Sequence, residues 1–437
     1  MSESTFTKPL SRRIMLQGAG IAALTPLLAA CSGQPSSVST STLGSIKPIT
    51  YWDMSWGPAE YTKRAEALVT SFKNPVRYQS IPWANYLETF ASAITSKTGP
   101  SASTGAGAQA FYFAEQGVIA SADNLIAQMK KNGDADFLPG MLENMKFQGH
   151  YVAVPWMMDV RALYYRKSLL EKAGAEPPTD WDSLRTTCAA LKKIGSYGFG
   201  MACGTGTHGW HAVVAIIVNN GEGLFTKDGQ PHCVTDRNVE AVEFLLELSK
   251  SGYIDKAAVS YTNDNVNADF VSGHVGMVIN QPSMRSYFPA DTKDDVLVTD
   301  PLVGPHGDKG TLIGIGNIMM YKESPSIEST EQFLLWYMNE MRVFWQKGLV
   351  ATLPVRKSFL DMPEIKSDPT SVAIANKWQP VARILGYKSP ALFPQLNAVD
   401  GGVALQTFTQ GIVQAKLDAK GLLTQLQQGL EKIIPAK

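Results

Sequence analysis

The chain has 437 residues, of which 44% are hydrophobic and 18% charged, so it has enough apolar material to bury large cores. Lys plus Arg and Asp plus Glu both number 39, which gives a formal net charge of zero. A nucleic-acid-binding protein needs a basic face, and we expect no nucleic-acid partner. Beyond the first 45 residues roughly 390 remain, more than one core usually holds. The length therefore predicts two lobes.

The N-terminal 45 residues have the order of an export signal. Arg12 and Arg13 precede a run of apolar and small residues over 18–30. This run is too short for a helix that spans a bilayer, which needs about 20 residues. The stretch SRRIMLQ at 11–17 resembles a twin-arginine signal, and LAAC at 28–31 resembles a bacterial lipobox.

The lipobox resemblance implies that residues 1–30 are cleaved and that Cys31 carries the lipid. Residues 31–45 are rich in Ser, Thr, Gly and Pro, which is typical of a flexible tether. The mature chain is then extracytoplasmic and anchored to the cell membrane. An ordinary cleaved signal with an accidental cysteine is the alternative.

The first part of the mature chain alternates strand and helix patterns. We predict strands over 46–52 and 76–79 and helices over 60–72 and 86–94, from apolar spacing and from Pro and Gly stops. The order strand, helix, strand, helix favours a mostly parallel sheet with helices on its faces. The low-complexity stretch SASTGAGA at 101–108 is interpreted as a surface loop.

Later segments continue this pattern. Thr179 is the predicted N-cap of a helix, with Asp182 completing its capping box. A strand is predicted over 275–279. Three further helices are predicted over 238–250, 330–348 and 422–433.

Beyond the first 45 residues three cysteines remain, Cys188, Cys203 and Cys233. This number is far below the density of a disulfide framework. One disulfide is possible in an oxidising compartment, but the sequence leaves the pair open. We predict no cofactor and no metal.

Seven landmarks in one order resemble the carbohydrate-binding, extracytoplasmic solute-binding proteins of bacterial ABC importers. They are ITYW at 49–52, GHYVAVPW at 149–156, ALYYRK at 162–167 with AG at 173–174, PPT at 177–179 with Trp181, FVSG at 270–273 with VGM at 275–277, GIGN at 314–317, and LPVR at 353–356.

The resemblance implies an α/β, two-lobe periplasmic-binding-protein-like fold (type II), with mixed, mostly parallel sheets and a ligand cleft between the lobes. Three crossovers are expected near 158–161, 313–317 and 348–355. The predicted N-terminal lobe comprises residues 46–158 plus 316–350, and the C-terminal lobe residues 159–315 plus 351–437.

The implied function is capture of a sugar or oligosaccharide by hinge closure, followed by delivery to the transmembrane subunits of an ABC permease. We expect a monomer that meets the membrane through its lipid anchor and that is not an enzyme. Ligand can favour the closed form only by binding it more tightly than the open form.

Sugars offer apolar faces that stack on aromatic rings and hydroxyls that pair with planar polar groups. Five tryptophans follow strands or lie at crossovers and are candidates for stacking, with Trp56 and Trp210 preferred: Trp52, Trp56, Trp83, Trp156 and Trp210. The candidates for hydroxyl pairing are Asp53, Asp159, His208, Gln281, Asn317, Arg356 and Asp400. Core packing is the alternative for each tryptophan, and a solvated surface position for each polar residue.

Two segments depart from the family pattern. Residues 107–111 (GAQAF) replace the usual Pro-Asp-Val strand end, and residues 281–283 (QPS) replace the frequent Gly-Pro-Trp. The first change removes a carboxylate and the second an aromatic ring. The ligand contacts of better-known relatives therefore do not transfer directly.

Other motifs leave alternatives open. Residues 204–209 match the G-x-G-x-x-G of dinucleotide sites, but we interpret them as a cleft loop that presents His208 and Trp210. His208 and His211 could hint at a metal, although no other ligand residue is near in sequence. A lipid-anchored glycosidase would need two carboxylates across a cleft, for which Asp53 and Asp159 are candidates.

Overall fold

The computed structural model describes residues 48–83, 86–206 and 208–435. The signal and tether predictions for residues 1–45, including Cys31, lie outside the described residues. The strands are β1 (Ile49–Met54), β2 (Val76–Ile81), β3 (Ala102–Ala106), β4 (Ile119–Ala120), β5 (Lys146–Phe147), β6 (His150–Tyr151), β7 (Val154–Val160), β8 (Ala162–Arg166), β9 (Tyr197–Gly200), β10 (Val275–Asn280), β11 (Val296–Val298), β12 (Thr311–Tyr321), β13 (Leu353–Pro354) and β14 (Ala382–Arg383).

The helices lie between and after these strands. They are α1 (Ala59–Thr70), α2 (Tyr86–Thr95), α3 (Gln109–Glu115), α4 (Asp123–Asn132), α5 (Lys167–Ala173), α6 (Trp181–Lys193), α7 (Gly209–Asn219), α8 (Asp236–Lys250), α9 (Asn263–Ser272), α10 (Ile327–Glu340), α11 (Val343–Gln346), α12 (Lys357–Leu360), α13 (Pro363–Lys366), α14 (Pro369–Ala373), α15 (Leu396–Val399), α16 (Val403–Gln414) and α17 (Ala419–Glu431).

Two mixed sheets organise the chain. The larger has the strand order β13-β7-β12-β3-β1-β2, and β4 and β14 also pair with β12. The smaller has the order β11-β8-β10-β9. In the larger sheet β1 pairs in parallel with β2 and β3, whereas β12 runs antiparallel to β3, β4 and β7. In the smaller sheet only β9 and β10 pair in parallel. The sheets are mixed as expected, but antiparallel pairs outnumber parallel ones among the described strands, so the expectation of mostly parallel sheets is wrong.

The chain passes directly from one sheet to the other at Arg161. This residue alone separates β7 of the larger sheet from β8 of the smaller. Its backbone N–H donates to the carbonyl of Leu312 (2.9 Å), and its carbonyl accepts a hydrogen bond from the Thr311 hydroxyl. The start of β12 therefore holds this connection from both sides.

The remaining predicted crossovers fall at different points of the sheets. Residues 313–317 lie within β12, and residues 348–355 include β13, which pairs with β7. The lobe boundaries given above remain a prediction.

The prediction of a surface loop over 101–108 is wrong, because residues 102–106 form the buried strand β3 between β1 and β12. The small side chains that suggested a loop let this strand pack closely. A Cβ added at Gly105 would lie 2.3 Å from Met319 Cε and 2.7 Å from Gln109 Oε1. Such distances leave no room for any side chain but hydrogen.

Most other elements match their predictions within two or three residues. The cap of α6 is shifted by one position, because Asp180 accepts from the backbone N–H of Ser183 and Ser183 completes the capping box. The helix predicted over 330–348 is divided into α10 and α11. The described residues contain no helix long and apolar enough to cross a membrane.

The three cysteines among the described residues, Cys188, Cys203 and Cys233, are buried and unpaired with one another. Burial raises the pKa of the Cys203 and Cys233 thiols to about 12. Both thiols are therefore neutral and weakly reactive at neutral pH.

We expect Gly105→Ala to lower the free energy of unfolding by about 2 kcal/mol, because the added methyl group overpacks a rigid strand. Urea unfolding followed by circular dichroism measures this. Gly99→Ala is the control, since its Cβ would meet no atom closer than 3.9 Å, and it should stay within about 1 kcal/mol of the wild type. Equal stability of the two variants would contradict the close packing of β3.

Candidate ligand-binding cleft

A small cavity of about 40 Å³ lies where the two sheets meet. Its walls come from the end of β3, the connection between β7 and β8, the start of α7, the first half of β12 and the segment around α15. The lining residues are Gly107, Ala108, Arg161, Trp210, His211, Leu312, Ile313, Gly314, Ile315, Ile384, Leu385, Leu392, Leu396 and Asp400. This volume holds only a few water molecules, so a ligand of any size requires the walls to separate.

An Arg161 guanidinium between two carboxylates dominates the charge of the cavity. The Arg161 side chain is 3% exposed, and its Nη2 lies 2.5 Å from Asp159 Oδ2. Asp400 is on the opposite wall, where a Cβ added at Gly107 would lie 3.0 Å from its Oδ2. Asp400 is exposed to solvent, and the protein around it raises the pKa of its carboxyl against the attraction of Arg161.

Two histidines and a tryptophan from α7 and its N-cap complete this wall. The rings of His208 and His211 stack with centroids 4.9 Å apart, and Trp210 meets His211 edge to face at 3.9 Å. His208 is an exposed residue whose pKa is lowered by the protein around it and, second, by the positive charge of Arg161. The same two causes lower the pKa of His211. Both imidazoles are therefore neutral at neutral pH.

Five aromatic rings form a continuous row on the side of the larger sheet. In order they are Tyr86, Trp83, Trp56, Trp156 and Trp345, and neighbouring centroids are 4.9 to 5.7 Å apart. Trp83 is 40% exposed, whereas Trp156 and Trp345 are buried. The negative charge of Asp400 contributes to the raised pKa of Tyr86, after burial. The row therefore begins near the charged cavity.

Several buried polar atoms around this region have no hydrogen-bond partner among the described residues. They are Nε1 of Trp56, Trp156 and Trp210, Oδ1 of Asp159, Nδ1 of His211, Oδ1 of Asn317, and both amide atoms of Gln109. Most buried polar groups in folded proteins are paired. A concentration of unpaired donors and acceptors beside aromatic rings is therefore typical of a site that a polar ligand completes.

A second cavity of about 320 Å³ lies beside Trp345, on the β13 side of β7. Pro282, Ser283 and Arg285 line it from the segment after β10. The predicted ligand residue Gln281 precedes them and is bound within its own loop, because its Nε2 donates to Ser283 Oγ at 3.2 Å.

The sequence-predicted residues divide into two groups. The structure brings seven of the twelve to the cavity or to the aromatic row: Trp56, Trp83, Trp156, Asp159, His208, Trp210 and Asp400. Asn317 lies beneath the cavity floor, where its Nδ2 donates to the carbonyl of Gly107 at 3.1 Å.

Trp52 and Asp53 do not face the cleft. Trp52 is 7% exposed and packs edge to face on Phe90 at 5.2 Å. Asp53 is fully buried, and its carboxylate accepts hydrogen bonds from Tyr61, Tyr78 and Thr104. The prediction that these two residues contact ligand is corrected, because neither side chain reaches the cavity. The glycosidase alternative loses its Asp53 carboxylate for the same reason.

Arg356 is also corrected, from ligand residue to structural residue. Its side chain is 6% exposed and pairs with Asp136 at 2.6 Å and Asp134 at 3.4 Å. A third bond goes to Asn339 Oδ1 at 2.6 Å. The guanidinium thus ties the segment after α4 to α10, and these partners occupy the donors that a ligand would need.

The glycine motif at 204–209 has a packing explanation. A Cβ at Gly209 would lie 2.0 Å from the Ala202 carbonyl oxygen, and one at Gly204 would lie 2.9 Å from that of Ser260. The glycines let the chain turn tightly into α7, which places Trp210 in the first helical turn. Close packing therefore accounts for Gly204 and Gly209 in this loop.

Sequence reasoning missed Arg161 and Gln109 as cleft residues. Arg161 follows Asp159 by two positions, and this spacing puts both side chains on the same face of an extended chain. That signal was available. Gln109 is at the start of α3, directly after β3, and the interpretation of residues 101–108 as a loop concealed it.

The two sheets with a polar and aromatic cleft at their contact define a two-lobe α/β binding protein. The family described as bacterial extracellular solute-binding protein matches residues 59–341. The chain therefore belongs to this family, and the family resemblance drawn from the sequence is confirmed.

Individual relatives agree with this assignment. A sugar transporter of Arthrobacter chlorophenolicus A6, solved with bound laminaribiose, is 45% identical, with a TM-score of 0.83 over 90% of this chain and 100% of that chain. The sugar-binding protein MalE of Xanthomonas citri shares the fold at 19% identity, with a TM-score of 0.74 over 89% of this chain and 97% of its own.

A curated binding protein of Brucella abortus is 26% identical over 266 residues, which is 59% of this chain. The match spans 63% of that relative's length.

We expect Arg356→Met to lower the free energy of unfolding by about 2 kcal/mol, because two half-buried carboxylates lose the buried guanidinium that pairs with them. Arg342→Met is the matched control, since Arg342 pairs with Glu340 at 3.9 Å on the surface and its loss should change stability by less than about 0.5 kcal/mol. Chemical denaturation of both variants gives the comparison. Removing one partner of a buried ion pair costs more than about 1 kcal/mol. The structural assignment would therefore be refuted if the two variants had unfolding free energies within about 1 kcal/mol of each other.

Proposed function

We propose that this chain is the sugar-binding receptor of an ABC importer, and that the cleft around Arg161 holds the sugar. The observation that carries the proposal is the group of unpaired polar atoms beside aromatic rings. Sugar hydroxyls both donate and accept, so one ring can pair with the Asp159 carboxylate and with the indole N–H of Trp210 at once. Exposed aromatic rings add a stacking surface for its apolar face.

The favoured ligand is a gluco-disaccharide such as laminaribiose. The relative of Arthrobacter chlorophenolicus A6 was solved with this sugar, and its identity of 45% is high enough to suggest a related ligand. The length of the aromatic row also favours more than one sugar ring. Trp83, Trp56 and Tyr86 are its accessible members and the candidates for stacking.

Capture follows from rotation of the two lobes about the connections near Arg161. In the proposed cycle, sugar entering between the lobes pairs with groups from both and stabilises the closed form. The N-terminal lobe comprises residues 46–158 plus 316–350, and the C-terminal lobe residues 159–315 plus 351–437. The closed form then docks on the permease subunits. Binding without cleavage is supported by the unavailability of Asp53 and by the ion pair of Asp159 with Arg161.

Calorimetric titration of the mature chain with laminaribiose, other mono- and disaccharides, amino acids and peptides tests this function. We expect binding of laminaribiose, and recovery of the intact sugar. A micromolar ligand at millimolar concentration should also stabilise the fold by about 4 kcal/mol. Binding restricted to amino acids or peptides would contradict the sugar assignment, and recovered glucose would indicate an enzyme.

We expect Trp83→Ala to weaken laminaribiose binding about tenfold, because one stacking interaction contributes about 1 kcal/mol or more. Since Trp83 is 40% exposed, the free energy of unfolding should change by less than about 1 kcal/mol. Calorimetry and urea unfolding measure the two effects.

The control for this variant is Trp336→Ala, on α10, where the ring packs on Phe72 at 5.2 Å. It should lose stability and keep its affinity. Unchanged affinity in Trp83→Ala would remove Trp83 from the binding surface.

The lipid anchor is a separate proposal that rests on the sequence around Cys31. Several acyl chains hold a protein firmly at a membrane, whereas one holds it only marginally. We therefore expect Cys31→Ser to move the protein from the membrane fraction to the soluble fraction of expressing cells. Retention of Cys31→Ser in the membrane fraction would refute the lipoprotein assignment.

A further inference from the structure

Asp53 is a buried carboxylate that does not line the cavity, yet it joins the three strands that carry the aromatic and glycine loops. It is in β1, and its Oδ2 accepts from Tyr61 in α1 at 2.9 Å and from Tyr78 in β2 at 3.3 Å. Its Oδ1 accepts from the Thr104 hydroxyl in β3 at 2.8 Å. One side chain therefore connects β1, β2, β3 and α1.

These strands end directly at the cleft. The chain after β1 carries Trp56, the chain after β2 carries Trp83, and the chain after β3 carries Gly107. The carboxyl ends of parallel strands lie at one edge of a sheet. Thr104 strengthens the link, because its hydroxyl also accepts from the backbone N–H of Met54 at 2.8 Å, at the start of the Trp56 loop.

The charge of Asp53 has no basic counterpart. Burial raises the pKa of Asp53, and hydrogen bonds from three hydroxyls lower it. Within the described part of the chain, no basic side chain contributes to this pKa. The ionisable groups around it are the tyrosines Tyr61 from α1, Tyr78 from β2, Tyr51 from β1 and Tyr337 from α10. All four have raised pKa values and stay neutral. Such a costly burial calls for a role that an uncharged residue would not fulfil.

We propose that Asp53 is a positioning residue for ligand binding, whose carboxylate holds the three strand ends in the arrangement that the sugar requires. The carboxylate accepts from three hydroxyls at once. A protonated acid or an asparagine must donate from one of its two terminal atoms, so at least one hydroxyl loses its acceptor or has to turn. The inference rests on the sugar-binding function proposed above.

The protonation of Asp53 makes this role measurable. Burial raises the pKa of Asp53 from 3.8 to about 7, against the three hydrogen bonds that lower it. Because the folded pKa is raised, the stability that this group contributes is complete below the unfolded pKa near 4 and is lost as the pH rises through about 7. Affinity should change in the opposite direction, since the ionised form positions the loops, and should fall as the pH drops through 7.

The experiment is a calorimetric titration with laminaribiose between pH 5.5 and 8.5, on the mature wild type and on Asp53→Asn. We expect Asp53→Asn to bind about tenfold more weakly at pH 8, which corresponds to 1.4 kcal/mol, and to lose the change in affinity near pH 7. Asp400 also titrates in the cleft and serves as a control. Asp400→Asn should keep the part of the affinity change near pH 7 that Asp53→Asn loses.

Matched Tyr→Phe variants separate positioning from stability. Tyr61→Phe and the milder Tyr78→Phe each remove a donor to Asp53, whereas Tyr321→Phe removes a buried hydroxyl bonded to Ser103 Oγ at 2.9 Å in the same sheet. We expect weaker binding in the first two variants and wild-type affinity in the third, although all three lose stability. Wild-type affinity and pH profile in Asp53→Asn would overturn the proposal.

Hydrogen exchange tests the positioning role without any sugar, and so separates it from the proposed function. At constant pH, Asp53→Asn should exchange faster in 54–58, 80–83 and 104–108 than Tyr321→Phe does. Uniform exchange in the two variants would overturn the positioning role even if laminaribiose binds. Faster exchange in these segments in a protein that binds no sugar would overturn the function alone.

Discussion

A buried polar atom without a hydrogen-bond partner destabilises the folded protein. The candidate cleft is a place where several such atoms lie together. The unpaired indole N–H groups of Trp56, Trp156 and Trp210 and the free oxygen of Asp159 gather around the contact of the two sheets. Unpaired buried atoms also occur elsewhere, among them the hydroxyls of Tyr51, Tyr164 and Tyr337. The Arg356 guanidinium, by contrast, has two carboxylates and an amide as partners. The cleft differs from these other places because its unpaired atoms lie beside a row of aromatic rings and an ion pair.

The cleft combines two physical requirements that oppose each other. Its charged groups must be neutralised when the lobes approach, which the pair of Arg161 with Asp159 achieves at 2.5 Å. Its hydrogen-bonding capacity must remain open to ligand, which the second oxygen of Asp159 provides. Neutral imidazoles of His208 and His211 beside Arg161 keep further positive charge out of the cavity. The cleft therefore offers hydrogen-bonding groups rather than an excess of positive charge, which suits the hydroxyls of a sugar.

The larger sheet supplies the rigid half of this arrangement. Its parallel strands β1, β2 and β3 end at the cleft, and the buried Asp53 carboxylate connects them. The smaller sheet joins it through the single residue Arg161 and through the segments around β12 and β13. A short connection between two well-packed bodies suits a hinge, because few backbone angles have to change while each body stays intact.

The sequence predicted the local elements well where apolar spacing and stop residues were strong. The helix predicted over 60–72 is α1 at Ala59–Thr70, and the strand predicted over 275–279 is β10 at Val275–Asn280. It failed at β3, because the small residues that close packing demands resemble those of a loop. Four of the five candidate tryptophans lie in the aromatic row or line the cavity, and their contact with ligand stays a prediction.

Other site residues could not be predicted because their roles depend on contacts between distant segments. Asp53 and Arg356 had the residue type and chain position expected of ligand contacts, yet both are enclosed by partners from other elements. Arg356 pairs with aspartates about 220 residues earlier in the chain. Gln109 became a candidate only when β3 and β12 were seen to place its amide beside Asn317.

A crystal structure of the mature chain with laminaribiose tests the central claim most directly. The account predicts a sugar between the two sheets, with hydroxyls within hydrogen-bonding distance of Asp159 Oδ1 and Trp210 Nε1 and with a ring face against Trp83 or Trp56. A sugar bound elsewhere on the protein, with these polar atoms still unpaired, would contradict it.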